Sequence, residues 1–300
     1  MILGSFAGAQ VWRLRARQLR EDTDRLRQLQ RRKRLSAAEK LERQELLGSR
    51  AQRSDELGQL APLLKETLQT DRSRCLSCQH RLAWYDLIPV ISWFSTAGRC
   101  RYCQAPIGWF ELLIETGLGL FFVLSWVWWP LPLDSLFGVA MFVVWLVASL
   151  PLTVLLAYDA KWFLLPDRPM ISFLAAASIF AVLGLVSSGV SMASLLSLLG
   201  AIMTIGGLYW LLHWVSGGRW VGYGDATLGA GLGLLLGQWQ LAVLAVVLAN
   251  TIGTAMVLPG LLTGRLDRKT HIPFGPMLII GTVITFFIGQ PIIDWYFGLL

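Results

Sequence analysis

Charged side chains are scarce in this sequence and are confined mainly to one part of it. Only 15% of the 300 residues are Asp, Glu, Lys or Arg, whereas soluble domains carry about 25%. Of the 26 Lys and Arg residues, 20 lie between Arg13 and Arg101, which leaves six for residues 102–300. The mean hydropathy is +0.56. This composition argues against an ordinary soluble protein and predicts a basic aqueous segment followed by a membrane domain.

The N-terminus lacks the features of a cleavable signal peptide. Residues 1–12 are apolar, but no basic residue precedes them. They are also too few to cross a bilayer, which takes about 20 residues. We therefore interpret residues 1–12 as a truncated first span. We expect residues 13–70, which are rich in Arg, Glu, Gln and Leu, to form a basic helical cytoplasmic segment; a partly disordered linker is the alternative.

One helix start in this segment can be read directly from the residues. Ser36-Ala37-Ala38-Glu39 has the pattern of a capping box, in which the Ser and Glu side chains each accept the other residue's backbone N–H. Leu41, Leu46 and Leu47 would continue an amphipathic helix from there.

Seven apolar stretches follow the basic segment and predict an all-α, polytopic helical membrane protein with about seven or eight spans. They are 109–129, 136–157, 170–186, 195–215, 227–237, 241–262 and 274–290. The stretch 227–237 is short and rich in glycine, so we expect it to be tilted, broken or shielded by neighbouring helices.

The loops between these stretches differ in charge. Loops 130–135, 187–194 and 238–240 and the tail after Gln290 contain no Lys or Arg. The alternate loops carry all six remaining basic residues: Lys161, Arg168, Arg219, Arg265, Arg268 and Lys269. Because basic loops stay in the cytoplasm, this pattern places residues 13–108 and the alternate loops on the cytoplasmic side.

Two aspartates lie at the cytoplasmic ends of predicted spans. Asp159 follows 136–157, and Asp225 precedes 227–237 in the stretch Gly222-Tyr223-Gly224-Asp225. A carboxylate at a membrane edge is costly to desolvate, so two on one face indicate a function. An ionised Asp beside a protonated one can activate water and polarise a peptide carbonyl. Gly222 and Gly224 would let the backbone pass close to a substrate peptide. Helix capping by each Asp is the alternative.

The chain has four cysteines, which form two Cys-x-x-Cys pairs separated by 21 residues: Cys75, Cys78, Cys100 and Cys103. This is the spacing of zinc ribbons, and it predicts a small cytoplasmic zinc-ribbon-like module over residues 71–108 with a structural zinc ion. Two disulfides or a redox pair are the alternative, which a cytoplasmic location disfavours. Four thiolates would leave the zinc ion no open position for catalysis.

The sequence resembles the bacterial type IV prepilin peptidases, also known as prepilin leader peptidase/N-methyltransferases, over nearly all of its length except residues 13–70. The residues that carry the resemblance are Gly4-Ser5-Phe6, the two cysteine pairs with their flanking residues, Asp159 with Leu164-Leu165-Pro166-Asp167, Gly222-Tyr223-Gly224-Asp225 and Ile272-Pro273-Phe274-Gly275-Pro276. Each motif alone is weak, but their order along the chain is specific.

The resemblance implies an aspartyl endopeptidase that removes the leader from type IV prepilins or pseudopilins at the cytoplasmic face. Its catalytic pair would be Asp159 and Asp225, within a membrane-embedded peptidase domain of residues 109–300. It also implies N-methylation of the new N-terminus with S-adenosylmethionine. Because the first span is truncated, the sequence leaves this second activity open. Glu115 aligns with a Glu common in the family and would orient substrate or methyl donor; a snorkelling interfacial Glu is the alternative.

Two residues near the aspartates depart from the family's usual pattern. Lys161 stands where relatives often carry an acidic residue, and Thr227 replaces a common Lys. Neither change removes a group of the implied catalytic pair.

Two other function classes fit parts of the pattern. Intramembrane proteases of the presenilin or signal-peptide-peptidase class share Gly-x-Gly-Asp, but would carry Pro-Ala-Leu where this chain has Pro273-Phe274-Gly275-Pro276. A non-enzymatic transporter or scaffold would use the aspartates as ion ligands. We expect a multi-pass protein of the bacterial inner (plasma) membrane. Contact with the anionic inner leaflet, and not with nucleic acid, accounts for the net charge of +7.

Overall fold

The structure is a computed structural model that describes residues 2–32, 34–64, 74–264 and 272–298. The chain divides into two compact units, Met1–Gly119 and Leu120–Leu300. Within the described ranges there is no β-strand, only two isolated antiparallel bridges near the cysteine pairs. The prediction of an all-α protein is confirmed. Arg265, Arg268 and Lys269, which the sequence assigns to one cytoplasmic loop, lie outside the described residues.

The N-terminal unit begins with three helices: α1 (Ile2–Arg31), α2 (Ala37–Gly48) and α3 (Arg50–Leu60). Helix α1 is continuous, so the expected boundary between the truncated first span, residues 1–12, and the basic segment that begins at residue 13 lies inside a helix. The capping box at the start of α2 is confirmed. The Ser36 N–H donates to the Glu39 carboxylate at 2.9 Å, and the Glu39 N–H donates to the Ser36 hydroxyl at 3.2 Å.

Helices α2 and α3 fold back on α1 through leucines and ion pairs. The buried residues form two small clusters: Ala16, Leu19 and Leu60, and Leu26, Leu29 and Leu46. Arg15 pairs with Glu56 at 2.8 Å and Arg25 pairs with Glu42 at 2.9 Å. The described part of the basic segment is therefore helical, and its charges are partly matched within it.

The rest of the described chain holds the cysteine pairs and nine further α-helices. They are α4 (Pro89–Ser95), α5 (Trp109–Val127), α6 (Leu136–Trp162), α7 (Asp167–Ser188), α8 (Met192–Ile202), α9 (Leu208–Ser216), α10 (Tyr223–Leu236), α11 (Trp239–Leu262) and α12 (Gly275–Gly298), of which α4 has only seven residues. A π-helical turn, Met203–Gly207, joins α8 to α9. All seven apolar stretches predicted from the sequence are helices.

Six helices in the described ranges are long and apolar enough to cross a membrane: α5, α6, α7, α8 with α9, α11 and α12. Helix α10 has 14 residues and rises only about 21 Å at 1.5 Å per residue, less than the roughly 30 Å of a bilayer core. The chain is therefore a multi-pass membrane protein with six candidate spans in the described ranges, and α10 is too short to be one of them.

Helix α10 is shielded by its neighbours, as its short glycine-rich sequence suggested. Eight of its residues are buried. It packs on the π-helical turn so closely that a Cβ on Gly206 would lie 2.8 Å from the Ala230 backbone nitrogen, and one on Gly233 would lie 2.7 Å from the Ala201 carbonyl oxygen. Glycine thus permits backbone contact around a helix too short to span the bilayer alone.

We expect Gly206→Ala to destabilise the protein. The added Cβ would also lie 2.9 Å from the Ala230 Cα, and because backbone atoms cannot yield by a side-chain rotation, α10 must shift at a cost of about 1–3 kcal/mol. Thermal unfolding of the purified protein in detergent measures this. Gly184→Ala is the matched control, since the nearest atom to its Cβ would be the flexible Met141 Cε at 3.6 Å. Equal melting temperatures for the two variants would contradict the close packing.

Helices α6 and α12 are held together by an aromatic cluster. The Trp145 ring on α6 stacks on Phe286 of α12, with centroids 3.9 Å apart and planes 16° apart. Trp145 is almost fully buried, and its indole N–H donates to the Ser125 hydroxyl at 3.0 Å, so its polar atom is satisfied. This packing fixes the helix pair that brings Asp159 to Gly275.

Candidate active site and metal centre

Asp159 lies in the last turn of α6 and is buried, with 5% of its surface exposed. Its Oδ2 accepts the backbone N–H of Gly275 at 3.1 Å. Gly275 is the first residue of α12, where helix geometry leaves N–H groups unpaired and the helix dipole favours negative charge. The start of α12 therefore provides a favourable environment for a carboxylate in a span.

A side chain at position 275 would displace the Asp159 carboxylate. A Cβ there would lie 2.7 Å from the Asp159 Oδ2 and 3.6 Å from the Leu228 side chain of α10. Gly275 is thus in contact with the helices that carry Asp159 and Asp225. The Pro-Phe-Gly-Pro stretch noted in the sequence is the element that lies against Asp159.

Asp225 is in the first turn of α10 and is partly buried. Its Oδ2 accepts the N–H of Gly222, the N-cap residue, at 3.1 Å. The helix-capping role that the sequence left as an alternative is thus present in the structure. It does not exclude chemistry, because a carboxylate has a second oxygen.

The structure brings the two aspartates to one region, since Gly275 contacts both the Asp159 carboxylate and Leu228, which lies one turn after Asp225 on α10. Two further contacts fix this arrangement. The Asp159 carbonyl accepts the N–H of Phe163 at 2.9 Å, and a Cβ on Gly224 would lie 3.0 Å from the Leu165 Cβ. The Leu-Leu-Pro stretch after α6 therefore packs against the Gly-Tyr-Gly-Asp stretch before α10.

The residues that depart from the family's usual pattern make local contacts. The Lys161 ammonium lies over the Trp162 ring, 5.1 Å from its centroid. The Thr227 hydroxyl donates to the Tyr223 carbonyl at 3.2 Å, as side chains in helices often do. Asp167 is the first residue of α7 and follows the N-cap residue Pro166.

Tyr209 lies beside this site, but the sequence interpretation missed it. Tyr209 is on α9 and is buried. Its ring lies against Phe274, with centroids 5.0 Å apart. The available signal was a polar residue inside an apolar span, which usually marks function.

The cysteines come together in the N-terminal unit. Their four Sγ atoms lie within 4.8 Å of one another, and the Cys75 and Cys103 sulfurs are 3.8 Å apart. Four sulfurs at about 2.3 Å from one zinc ion would be about 3.8 Å apart, so the cluster fits a tetrahedral metal. All four are free thiols in the structure. The four cysteines could therefore hold one metal ion between them.

Each cysteine pair is presented by the same kind of turn. The Cys75 carbonyl accepts the N–H of Gln79 at 2.9 Å, and the Cys100 carbonyl accepts the N–H of Gln104 at 2.9 Å. Gln79 and Gln104 have φ values of 58° and 59°, the left-handed region that closes a tight turn. The two halves of the module are therefore equivalent, as a shared metal requires.

A cavity of about 250 Å³ lies between the start of α1, the cysteine module and the first turns of α5. Glu111 and Glu115 line it. The Trp12 indole N–H donates to Glu111 Oε1 at 3.1 Å, and Ser5 lines the same cavity. A Cβ on Gly4 would lie 2.8 Å from the Glu115 Cα, which explains the glycine in Gly4-Ser5-Phe6.

Comparison with known proteins agrees with this arrangement. The Bacterial Peptidase A24 N-terminal domain model matches residues 1–129, and the Type IV leader peptidase family model matches residues 145–258, which include both aspartates. The prepilin leader peptidase/N-methyltransferase of Stutzerimonas stutzeri is 30% identical over 227 residues, 75% of this chain and 74% of that protein. The protein of the same name from Aeromonas hydrophila is 31% identical over 232 residues, 76% of each chain.

The chain belongs to the type IV leader peptidase family. Its membership confirms the resemblance drawn from the motifs and favours this enzyme family over the presenilin class and over a transporter or scaffold. No solved structure matches the chain.

Proposed function

We propose that this chain is a membrane aspartyl endopeptidase that removes the leader from type IV prepilins or pseudopilins. The observation that carries the proposal is that Asp159 on α6 and Asp225 on α10 each have one carboxylate oxygen held by a backbone N–H, with Gly275 in contact with both helices. The relatives' names supply the substrate class. Acyl hydrolysis by two neighbouring carboxylates is the chemistry that such a pair performs.

In the proposed mechanism the two aspartates act as one unit. Repulsion between like charges favours a single shared proton, and the pair titrates together. The ionised carboxylate takes a proton from water as the water attacks the scissile carbonyl. The protonated carboxylate donates a hydrogen bond to the carbonyl oxygen, and a proton then passes to the leaving amine. The N–H groups of Gly222 and Gly275 hold one oxygen of each carboxylate in place.

We place the reaction at the cytoplasmic face of the bacterial inner membrane. Lys161 and Arg168 lie beside Asp159 along the chain, and Arg219 precedes Asp225. Basic loops of membrane proteins stay in the cytoplasm, so these residues support that side for both aspartates. The basic helices α1 to α3 would face the anionic inner leaflet on the same side.

Co-expression with a prepilin in a bacterial strain without its own leader peptidase tests the proposed function. We expect conversion of the prepilin to a faster-migrating mature form only when this chain is present. Unprocessed prepilin, in cells whose membranes contain the full-length chain, would contradict the proposal.

The four cysteines would hold a structural zinc ion, and the cavity beside them supports a second activity, methyl transfer from S-adenosylmethionine. The thiolates of Cys75, Cys78, Cys100 and Cys103 are the donors that zinc prefers. S-adenosylmethionine would supply an electrophilic methyl group, which it carries on a sulfonium cation. In the cavity, the Glu111 and Glu115 carboxylates and the Trp12 indole are suited to bind a cation.

Mass spectrometry of processed pilin tests the methylation proposal separately from cleavage. We expect the mature N-terminus to carry one methyl group, and expect Glu115→Gln to leave the pilin cleaved but largely unmethylated. Glu111 and Glu115 lie in the N-terminal unit and the aspartates in the other. A cleaved, unmethylated pilin from the unmodified chain would show that it is a peptidase alone.

A further inference from the structure

The peptide group between Val221 and Gly222 is hydrogen-bonded at both ends. Its N–H donates to the Asp225 Oδ2 at 3.1 Å. Its carbonyl oxygen bonds to Nδ1 of His213 at 2.9 Å. Because a carbonyl oxygen can only accept, Nδ1 of His213 carries the proton. One side chain at the end of α9 therefore fixes the peptide whose N–H contacts the carboxylate.

The orientation of this peptide group depends on a hydrogen bond from another side chain. It lies in the loop before α10, where no helical hydrogen bond orients it. Gly217 and Gly218 adopt left-handed φ values of 60° and 78° earlier in the loop, and Gly222 follows the peptide. Glycine permits more backbone conformations than any other residue. Without the bond from His213, rotation of the peptide plane would turn the N–H away from Asp225.

The His213 ring is itself held in one orientation. A Cβ on Gly218 would lie 3.2 Å from the His213 Cε1, so the loop packs directly on the ring. The Tyr223 ring meets it edge-to-face, with centroids 6.0 Å apart. The Gly218 N–H also donates to the His213 carbonyl at 2.9 Å. The donor is thus already oriented, so it loses little entropy when it bonds the carbonyl.

We propose that His213 is a positioning residue for Asp225. By fixing the peptide between Val221 and Gly222, it keeps Oδ2 of Asp225 occupied by an N–H and so fixes the orientation of the carboxylate towards Asp159. The two hydrogen bonds also polarise each other through the shared peptide group, which strengthens the one to the carboxylate. This inference rests on the proposed role of Asp225 in cleavage.

Steady-state cleavage of a purified prepilin by the full-length protein in detergent tests the inference with three variants. His213→Leu removes the donor, and we expect kcat to fall about tenfold or more while KM changes less than about twofold. His213→Asn places an amide N–H near the position of Nδ1, and we expect it to recover most of kcat. Trp214→Leu is the control, since that side chain is 70% exposed on the neighbouring position, and we expect unchanged kinetics.

The outcomes separate this inference from the proposed function. Wild-type kcat in His213→Leu, with Asp225→Asn inactive, would overturn the positioning role and leave the peptidase proposal standing. Equal losses in His213→Leu and His213→Asn, together with lowered melting temperatures, would also overturn it, because they indicate a structural role only. An active Asp225→Asn variant would instead overturn the proposed function, and the inference with it.

Discussion

Asp159→Asn and Asp225→Asn are each expected to abolish prepilin cleavage without unfolding the protein. An amide can neither share the proton of the pair nor take a proton from water, so we expect the rate to fall about 10³-fold or more. The amide oxygen can still accept the N–H of Gly275 or Gly222, so the helix ends stay capped. The measurement is leader release from a purified prepilin, with the melting temperature recorded for each variant.

A matched control separates catalysis from helix capping. Asp167 is an exposed carboxylate in the first turn of α7. It lies at the other end of the loop that follows Asp159 and α6. We expect Asp167→Asn to cleave at nearly the wild-type rate. Normal processing by either Asp159→Asn or Asp225→Asn would refute the catalytic assignment, whatever the control does. Loss of cleavage that coincides with loss of folding would show that the carboxylates serve stability instead.

Purified protein is expected to contain one zinc ion per chain, and Cys100→Ser is expected to lose it and unfold the cysteine module. Cys100 is buried, and its turn is equivalent to that of Cys75. Structural zinc sites in small modules contribute about 10–16 kcal/mol of apparent binding free energy, which is also folding free energy. Metal analysis gives the zinc content, and limited proteolysis gives the protection of residues 74–108.

The matched control for this site lies inside the first cysteine pair. Ser77 is exposed between Cys75 and Cys78 and belongs to the same turn, so Ser77→Ala should keep both zinc and protease resistance. A zinc content well below one per chain, with oxidised cysteines, would contradict the metal site. Full zinc retention by Cys100→Ser would contradict the assignment of Cys100 as a ligand.

The helices could be predicted because their signals are local. Apolar stretches of about 20 residues can only be helices in a bilayer, where every backbone group must be paired within the protein. The capping box at Ser36 and Glu39 lies within four residues. The short stretch 227–237 is expected from its glycines to be tilted, broken or shielded, and the structure shows that it is shielded, by packing of Gly233 on Ala201 and of Ala230 on Gly206.

The contacts that complete the site could not be predicted, because they join residues far apart in sequence. The Gly275 N–H and the Asp159 carboxylate are 116 positions apart. The motif around Gly275 was noted, but nothing in the sequence says which side chain it meets. His213 and Tyr209 each lie in an apolar span, so only the packing around α9 reveals their partners, the Val221 carbonyl and the Phe274 ring.

Incubation of the purified full-length protein with a purified prepilin, followed by intact mass measurement of both products, tests the central claim most directly. The expected result is a single cut between the leader and the apolar helix of the prepilin, present with the unmodified chain and absent with Asp225→Asn. A cut within the apolar helix would indicate an intramembrane protease of another class. If the protein is folded and the prepilin is soluble in the detergent, uncleaved prepilin would contradict the assignment of Asp159 and Asp225 as a peptidase pair.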